Sequence, residues 1–228
     1  YLMGLGTADP KGIFGTTSGL ADKFPGRVLE MPVAENGMTG IAIGSAITGM
    51  RPIMTHQRLD FALMCVEQLV NNAAKWHYMF GGAMTVPLTV RMIIGRGWGQ
   101  GPQHSQALHA WFMHVPGLKV VMPFSPCDAK GLLAASICDD NPVIFIEHRW
   151  LHGIRGEVPA EYYELPLGQA KILRPGKDVT LVGLSYALID CLKAAQWLSE
   201  KAGVEAEVID LRTLTPLDSK TVVESVKR

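Results

Sequence analysis

The sequence lacks any excess of charge of one sign. Its 228 residues carry 21 Lys and Arg against 21 Asp and Glu. A neutral chain has no electrostatic footprint for nucleic acid or for an anionic membrane surface. Charge of either sign is also scarce, at 18%, where soluble domains usually carry about 25%. Much neutral surface is left to cover, which favours an oligomer or a complex. No apolar run reaches the roughly 18–20 residues of a membrane helix. The opening segment Tyr1–Gly6 reads as a strand rather than a signal peptide. Cysteine is sparse: Cys65, Cys127, Cys138 and Cys191 stand far apart with no CxxC pair. That pattern predicts a reduced, cytoplasmic protein, or a matrix protein in a eukaryote. The histidines show no HExxH or Cys/His zinc spacing. Both ends cut through a pattern, which is consistent with a longer parent chain.

What is present is a regular alternation of strands and helices. Strands are predicted at 28–31, 52–55, 88–92, 119–122, 143–147, 179–183 and 205–210. Helices are predicted at 16–24, 36–50, 61–79, 105–114, 126–138, 187–201 and 218–227. Alternation at this spacing predicts an α/β fold, a doubly wound and mainly parallel sheet. Asp60 reads as the N-cap of the helix 61–79, which Gly81-Gly82 stops. Ser125-Pro126 reads as a cap followed by Pro in the first turn. A Gly- and Pro-rich break divides the chain into a domain over 1–152, a linker over 153–178 and a partial second domain over 179–228.

Three segments carry candidate chemistry. In Pro32-Val33-Ala34-Glu35-Asn36-Gly37 a strand gives way to a helix with one carboxylate at the junction, where open α/β sheets bind ligands; the plainer reading is a favourable charge at a helix start. The run Gly95-Arg96-Gly97-Trp98-Gly99-Gln100-Gly101-Pro102-Gln103-His104 is a flexible loop leading to a helix. It matches neither GxGxxG nor GxxxxGK[ST], so a phosphate loop is not indicated. His104 beside such a loop is a candidate proton donor or acceptor. Ser136-Ile137-Cys138-Asp139-Asp140-Asn141 ends a helix, either as a simple turn or as a cation site of carbonyls and carboxylate.

Taken in order, the segments resemble the β subunit of the thiamine-diphosphate-dependent 2-oxoacid dehydrogenase decarboxylase component, a transketolase-like family. The matching pieces are Gly12-Ile13-Phe14-Gly15, Pro32–Gly37, Asp60–Leu63 with Gln68–Lys75, Gln103-His104-Ser105-Gln106, Val115–Val121, Asp128–Leu133 and Asp210–Asp218. The resemblance implies a pyrimidine-binding domain followed by the start of the family's C-terminal domain. It implies that Glu35 hydrogen-bonds N1′ of the cofactor's aminopyrimidine, which makes the neighbouring amino group a base for the thiazolium C2 proton. It places Val33, Gln57 and Phe61 against the pyrimidine and His104 on the substrate channel. It assigns Leu88, Ser136, Ile137, Asp139 and Asn141 to a structural potassium site.

The family's diphosphate–magnesium motif begins GDG, and this sequence has none. The resemblance therefore implies an α subunit that holds the diphosphate and Mg2+, in an α2β2 assembly, with a lipoyl acyltransferase as a further partner. The sequence departs from the family where Gly4-Leu5-Gly6-Thr7 lacks an acidic residue. It departs again where Thr55-His56-Gln57-Arg58-Leu59 replaces an apolar run; His56 and Arg58 add positive potential there. These departures point away from plain pyruvate. They keep open two alternatives, the C-terminal half of a split transketolase acting on sugar phosphates and a non-catalytic assembly subunit.

Overall fold

The computed structural model describes residues 1–9 and 11–227. In chain order the elements are β1 Leu2–Gly4, α1 Gly12–Gly15, α2 Leu20–Lys23, β2 Val28–Glu30, α3 Glu35–Ile47, β3 Ile53–Thr55, α4 Leu59–Ala62, α5 Trp76–Met79, β4 Thr89–Ile94, α6 His109–Met113, β5 Lys119–Val121, α7 Pro126–Cys138, β6 Val143–His148, β7 Lys171–Arg174, β8 Val179–Gly183, α8 Ala187–Ala202, β9 Ala206–Asp210, β10 Thr213–Thr215 and α9 Ser219–Val226. They divide into two compact units, 1–119 with 136–146, and 120–135 with 147–228. Among the described residues no helix is long and apolar enough to cross a membrane.

The first unit is built on β2-β1-β3-β4, with β6 beside β4. The first four strands are parallel: Gly4 pairs with Glu30 and with Thr55, and Thr55 pairs with Arg91. β4 is buried along its whole length. It reads as a near-continuous apolar run because a central parallel strand is covered on both faces. With the strands in register, the segments that leave their carboxyl ends, 5–8, 31–34, 56–58 and 95–104, emerge at one edge of the sheet. Leu88, where β4 begins, bonds through its carbonyl to the Val143 N–H at the start of β6. Those residues mark the opposite edge.

The helix expected over 61–79 is a helical segment of changing pitch. It runs through α4, a 3-10 turn at Leu63–Cys65, a π turn at Gln68–Ala73 and α5. The Cys65 thiol donates to the Ala62 carbonyl at 3.1 Å in the tightened part, and Asn72 Nδ2 donates to Gln68 Oε1 at 3.0 Å in the widened part. Polar side chains that bond locally compete with regular helix bonding. Asp60 is not the cap; it lies inside the first turn of α4, whose N-cap is Arg58. Gly81 and Gly82, both at positive φ, end the segment as expected. The helix expected over 105–114 forms only at α6, preceded by a 3-10 turn at Pro102–His104. The helix expected over 16–24 is reduced to α2. The glycines of α3 are not forced by close approach within the chain: a Cβ at Gly44 would meet nothing, and one at Gly40 would meet only the tip of Gln68, at 3.7 Å.

The second unit contains a three-stranded sheet, β7-β9-β8, in which β8 is parallel and β7 antiparallel to β9. Strand β7 lies inside the stretch expected as linker. Its core packs Leu188 and Ala195 of α8 against Ala206 and Val208 of β9, with Leu181, Leu192 and Leu198 around them. β10 pairs antiparallel with β5 through Thr213 and Val121. Ser125 Oγ accepts the Asp128 N–H at 3.1 Å, which caps α7 as the sequence indicated. Asp218 caps α9 by accepting the Thr221 N–H.

Candidate active site

Glu35 stands in the first turn of α3, just past the carboxyl end of β2. It is half-buried. Its neighbour Asn36 donates to the Met64 carbonyl at 3.5 Å, which ties the start of α3 to the turn that follows Phe61. The electrostatic consequence reaches Cys65. Burial pushes that thiol up to about 11, a bond with Thr39 partly offsets this, and the Glu35 charge raises it further. Cys65 is therefore an inert thiol at neutral pH.

Phe61 belongs to α4, and 37% of its surface is exposed. Its ring meets the His104 ring edge to face, with centroids 5.1 Å apart. The backbone holds the pair together by a second link, in which Asp60 Oδ1 accepts the Gln106 N–H at 3.1 Å. His104 closes the 3-10 turn, and its N–H bonds to the Gly101 carbonyl at 3.3 Å. Gly101 has φ of +72°, a backbone that favours glycine, and that sharp reversal aims the turn.

Two buried polar atoms here have no protein partner, His104 Nδ1 and Asp60 Oδ2. Buried polar atoms are normally bonded, so an orphaned pair in one neighbourhood points to a ligand. Val33 is 74% exposed in the same connection that carries Glu35, with an apolar side chain turned away from the core. Gln57 is half-buried and donates to the Leu5 carbonyl at 3.4 Å. Val33, Glu35, Gln57, Phe61 and His104 thus all leave the carboxyl edge of one parallel sheet, where open α/β folds bind ligands.

The structure corrects the expected electrostatics of this edge. His56 is buried, and burial lowers its imidazole to about 4, so it carries no charge at neutral pH. Arg58 is only 3% exposed, and its guanidinium is bonded to the Gly95 and His104 carbonyls and to Gln100 Oε1. Neither supplies the free positive potential read from the sequence. The acid missing after Gly4 arrives from the neighbouring strand instead. The Glu30 carboxylate accepts the Gly6 N–H at 2.5 Å and the Ala8 N–H at 3.0 Å. Sequence separation hid that contact, since only the pairing of β1 with β2 brings the two together.

The residues assigned to potassium lie at the other edge of the sheet. The Ser136 carbonyl accepts from Thr89 Oγ1 at 3.1 Å, and the Leu88 carbonyl accepts the Val143 N–H. The Ile137 and Asp139 carbonyls accept from one Arg51 nitrogen at 3.2 and 2.9 Å, while the other pairs with Asp140. Asp139 pairs with Lys119 and accepts both nitrogens of Asn141. A guanidinium already rests on two of the carbonyl oxygens, so in this arrangement the set does not fit a further cation. Arg51 gave no signal in the sequence, because nothing local links it to residues nearly ninety positions away.

With this geometry in hand, comparison with known proteins is direct. Residues 2–153 match the transketolase pyrimidine-binding domain and residues 168–228 the transketolase C-terminal domain. The chain belongs to the transketolase family. Within it, this transketolase-family chain is 48% identical over 216 residues to the β subunit of acetoin:2,6-dichlorophenolindophenol oxidoreductase of Cupriavidus necator, covering 95% of this chain and 64% of that one. It is 45% identical over 230 residues to the pyruvate dehydrogenase E1 component β subunit of Rhizobium meliloti, covering 100% of this chain and 50% of that one. A solved split-gene transketolase, described as an inactive β4 tetramer, superposes with a TM-score of 0.80 at 25% identity over 99% of this chain and 70% of its own. The chain therefore spans between half and two thirds of the length of these two curated relatives.

Proposed function

We propose that the chain acts as the β subunit of a thiamine-diphosphate-dependent 2-oxoacid decarboxylating dehydrogenase, in the cytoplasm or mitochondrial matrix. The observation that carries this reading is the grouping of Glu35, exposed Phe61 and His104 at the carboxyl edge of a pyrimidine-binding fold. The donor set fits the cofactor's aminopyrimidine. A half-buried carboxyl suits a ring nitrogen, an exposed aromatic face suits a flat heterocycle, and orphaned His104 Nδ1 suits a polar ligand. When bound, thiamine diphosphate would supply a carbon nucleophile for the 2-oxoacid carbonyl and an electron sink for loss of carbon dioxide.

The chain's own residues then have separable tasks. Glu35 holds a proton at N1′ of the pyrimidine, from the first turn of α3 at the carboxyl end of β2. Phe61 covers one face of the ring, and Val33 adds apolar contact. His104 moves a proton at the substrate carbonyl oxygen, a general acid–base role worth about 10²–10⁴ in rate. The diphosphate and Mg2+ fall to an α subunit, and the acyl group passes to a lipoyl-bearing acyltransferase. No step is derived through potassium. The split-transketolase reading takes its phosphate contacts from His56, Arg58 and Arg96; His56 is neutral and Arg58 is buried against loop carbonyls, which leaves exposed Arg96 as the cation of that set facing solvent.

The test is Glu35→Gln in the intact complex with its α subunit. Decarboxylation of 2-oxoacids should fall at least about 10²-fold, the scale of a lost proton-transfer group. Undiminished activity would overturn the assignment. Turnover of ketose phosphates in place of 2-oxoacids would favour the transketolase reading, and failure of the complex to bind thiamine diphosphate by calorimetry would favour an assembly subunit.

A further inference from the structure

One buried cation organises the catalytic edge without belonging to the cofactor contacts. Arg58 sits where β3 runs into α4, and its side chain reaches across to the glycine-rich loop. One terminal nitrogen donates to the His104 carbonyl at 2.9 Å and to the Gly95 carbonyl at 3.4 Å. The other donates to Gln100 Oε1 at 2.5 Å. These acceptors are the first residue of the loop, its middle and the histidine that ends it. The guanidinium carbon also lies 5.6 Å from the centroids of two aromatic rings, Trp98 of the same loop and Phe14 of α1.

The Phe14 contact has a cost that makes it informative. Ile13 and Phe14 both adopt left-handed backbone, φ +37° and +59°, which is uncommon for such side chains. Strain of this kind clusters where a site needs a group held in place. Here it presents an aromatic ring to Arg58. The loop cannot order itself: Gly97, Gly99 and Gly101 all sit at positive φ, and it has few apolar anchors apart from Trp98. A planar fork of donors between two aromatic rings is suited to fixing a chain of carbonyls, and a lysine ammonium cannot reproduce that fork.

We propose that Arg58 is a positioning residue, which fixes the loop 95–104 and the turn Gly12–Gly15 so that His104 is held against Phe61. Arg58 does not bind the substrate carboxylate, because its terminal nitrogens are committed to the loop. This inference rests on the assignment of His104 to the substrate channel for its catalytic consequence, and on geometry alone for its effect on loop order.

The experiment uses Arg58→Met and Arg58→Lys in the intact complex, read by amide hydrogen exchange over 95–106 and by steady-state kinetics with a 2-oxoacid. Arg58→Met should speed exchange across the loop about tenfold or more, since its local opening is no longer opposed. It should lower kcat about tenfold or more with KM within about threefold, as expected for misplacing a catalytic group by a fraction of a bond length. Arg58→Lys keeps the charge and should still show fast exchange. The pH profile of kcat/KM should shift in both variants, which a merely structural change would not produce. Unchanged exchange in a folded variant would overturn the proposal, as would a rise in KM alone, which would make Arg58 a substrate contact. If Arg58→Met does not fold, Gln100→Ala and Trp98→Leu remove one loop contact each; loop exchange unaltered in both would overturn it equally. An active His104→Ala variant would defeat the catalytic assignment while leaving the exchange result standing.

Discussion

The rings of Phe61 and His104 meet edge to face at 5.1 Å, although forty-three positions separate them in the chain. Phe61 comes from the helix after β3 and His104 from the loop after β4, and the parallel pairing of those strands sets both at one edge. A contact of this kind adds about 0.5–1.5 kcal/mol beyond area burial. His104→Ala in the intact complex should lower turnover about 10²–10⁴-fold. Phe61→Leu should weaken thiamine diphosphate binding about tenfold, measured by calorimetry, because the flat stacking face is lost. A double variant whose losses simply add would show that the two side chains do not cooperate.

Two buried groups give opposite pH dependences, and the signs can be separated by mutation. His56 titrates at about 4 because burial disfavours its cation. Its contribution to stability is complete above the ordinary histidine value of about 6.5 and is lost as pH falls towards 4. Asp210 titrates at about 6 because burial, reinforced by the Asp128 charge and opposed by the Arg212 N–H and guanidinium, disfavours its carboxylate. Its contribution is complete below the ordinary value and is lost as pH rises through about 6. Each is on the order of 3 kcal/mol, at 1.36 kcal/mol per pKa unit. Asp210→Asn should therefore show stability falling on acidification from pH 6.5 to 4, and His56→Gln should show it rising over the same range. Urea unfolding at a series of pH values checks both, and profiles identical to the parent protein would refute the burial argument.

The second unit holds a buried ion pair between Arg212 and Asp128. Arg212 Nη2 lies 2.5 Å from Asp128 Oδ1, with side chains 9% and 1% exposed. Ser125 also donates its hydroxyl to Asp128, at 2.6 Å. Removing one member strands the other charge in the interior, which costs about 3–5 kcal/mol. Asp128→Ala should lose that much by denaturant unfolding. The double variant Asp128→Ala/Arg212→Met should recover part of it, because neither member of the pair is then left without the other. Equal losses in the single and double variants would show that the carboxylate's own bonds to Ser125, rather than the pair, matter most.

The amino-acid sequence determined the fold class and most strand positions, and it offered Glu35 and His104 as candidates, because each lies beside a local pattern, a strand end or a glycine-rich run; Phe61 entered only through the family resemblance. It also determined that the chain carries no diphosphate motif. What the sequence could not supply were the contacts whose partners lie far apart in the chain. Glu30 reaching the 6–8 loop, Arg51 reaching the carbonyls at 137–139 and Arg58 clamping the loop 95–104 all depend on which strands lie side by side. Burial was equally out of reach. The same His56 and Arg58 that read as free positive charge are, respectively, neutralised by desolvation and spent on carbonyl oxygens, and only the tertiary packing of the sheet's carboxyl edge decides that. Local pattern fixes which groups are available, while the dielectric surroundings and partners that set their chemistry come from parts of the chain brought together by folding.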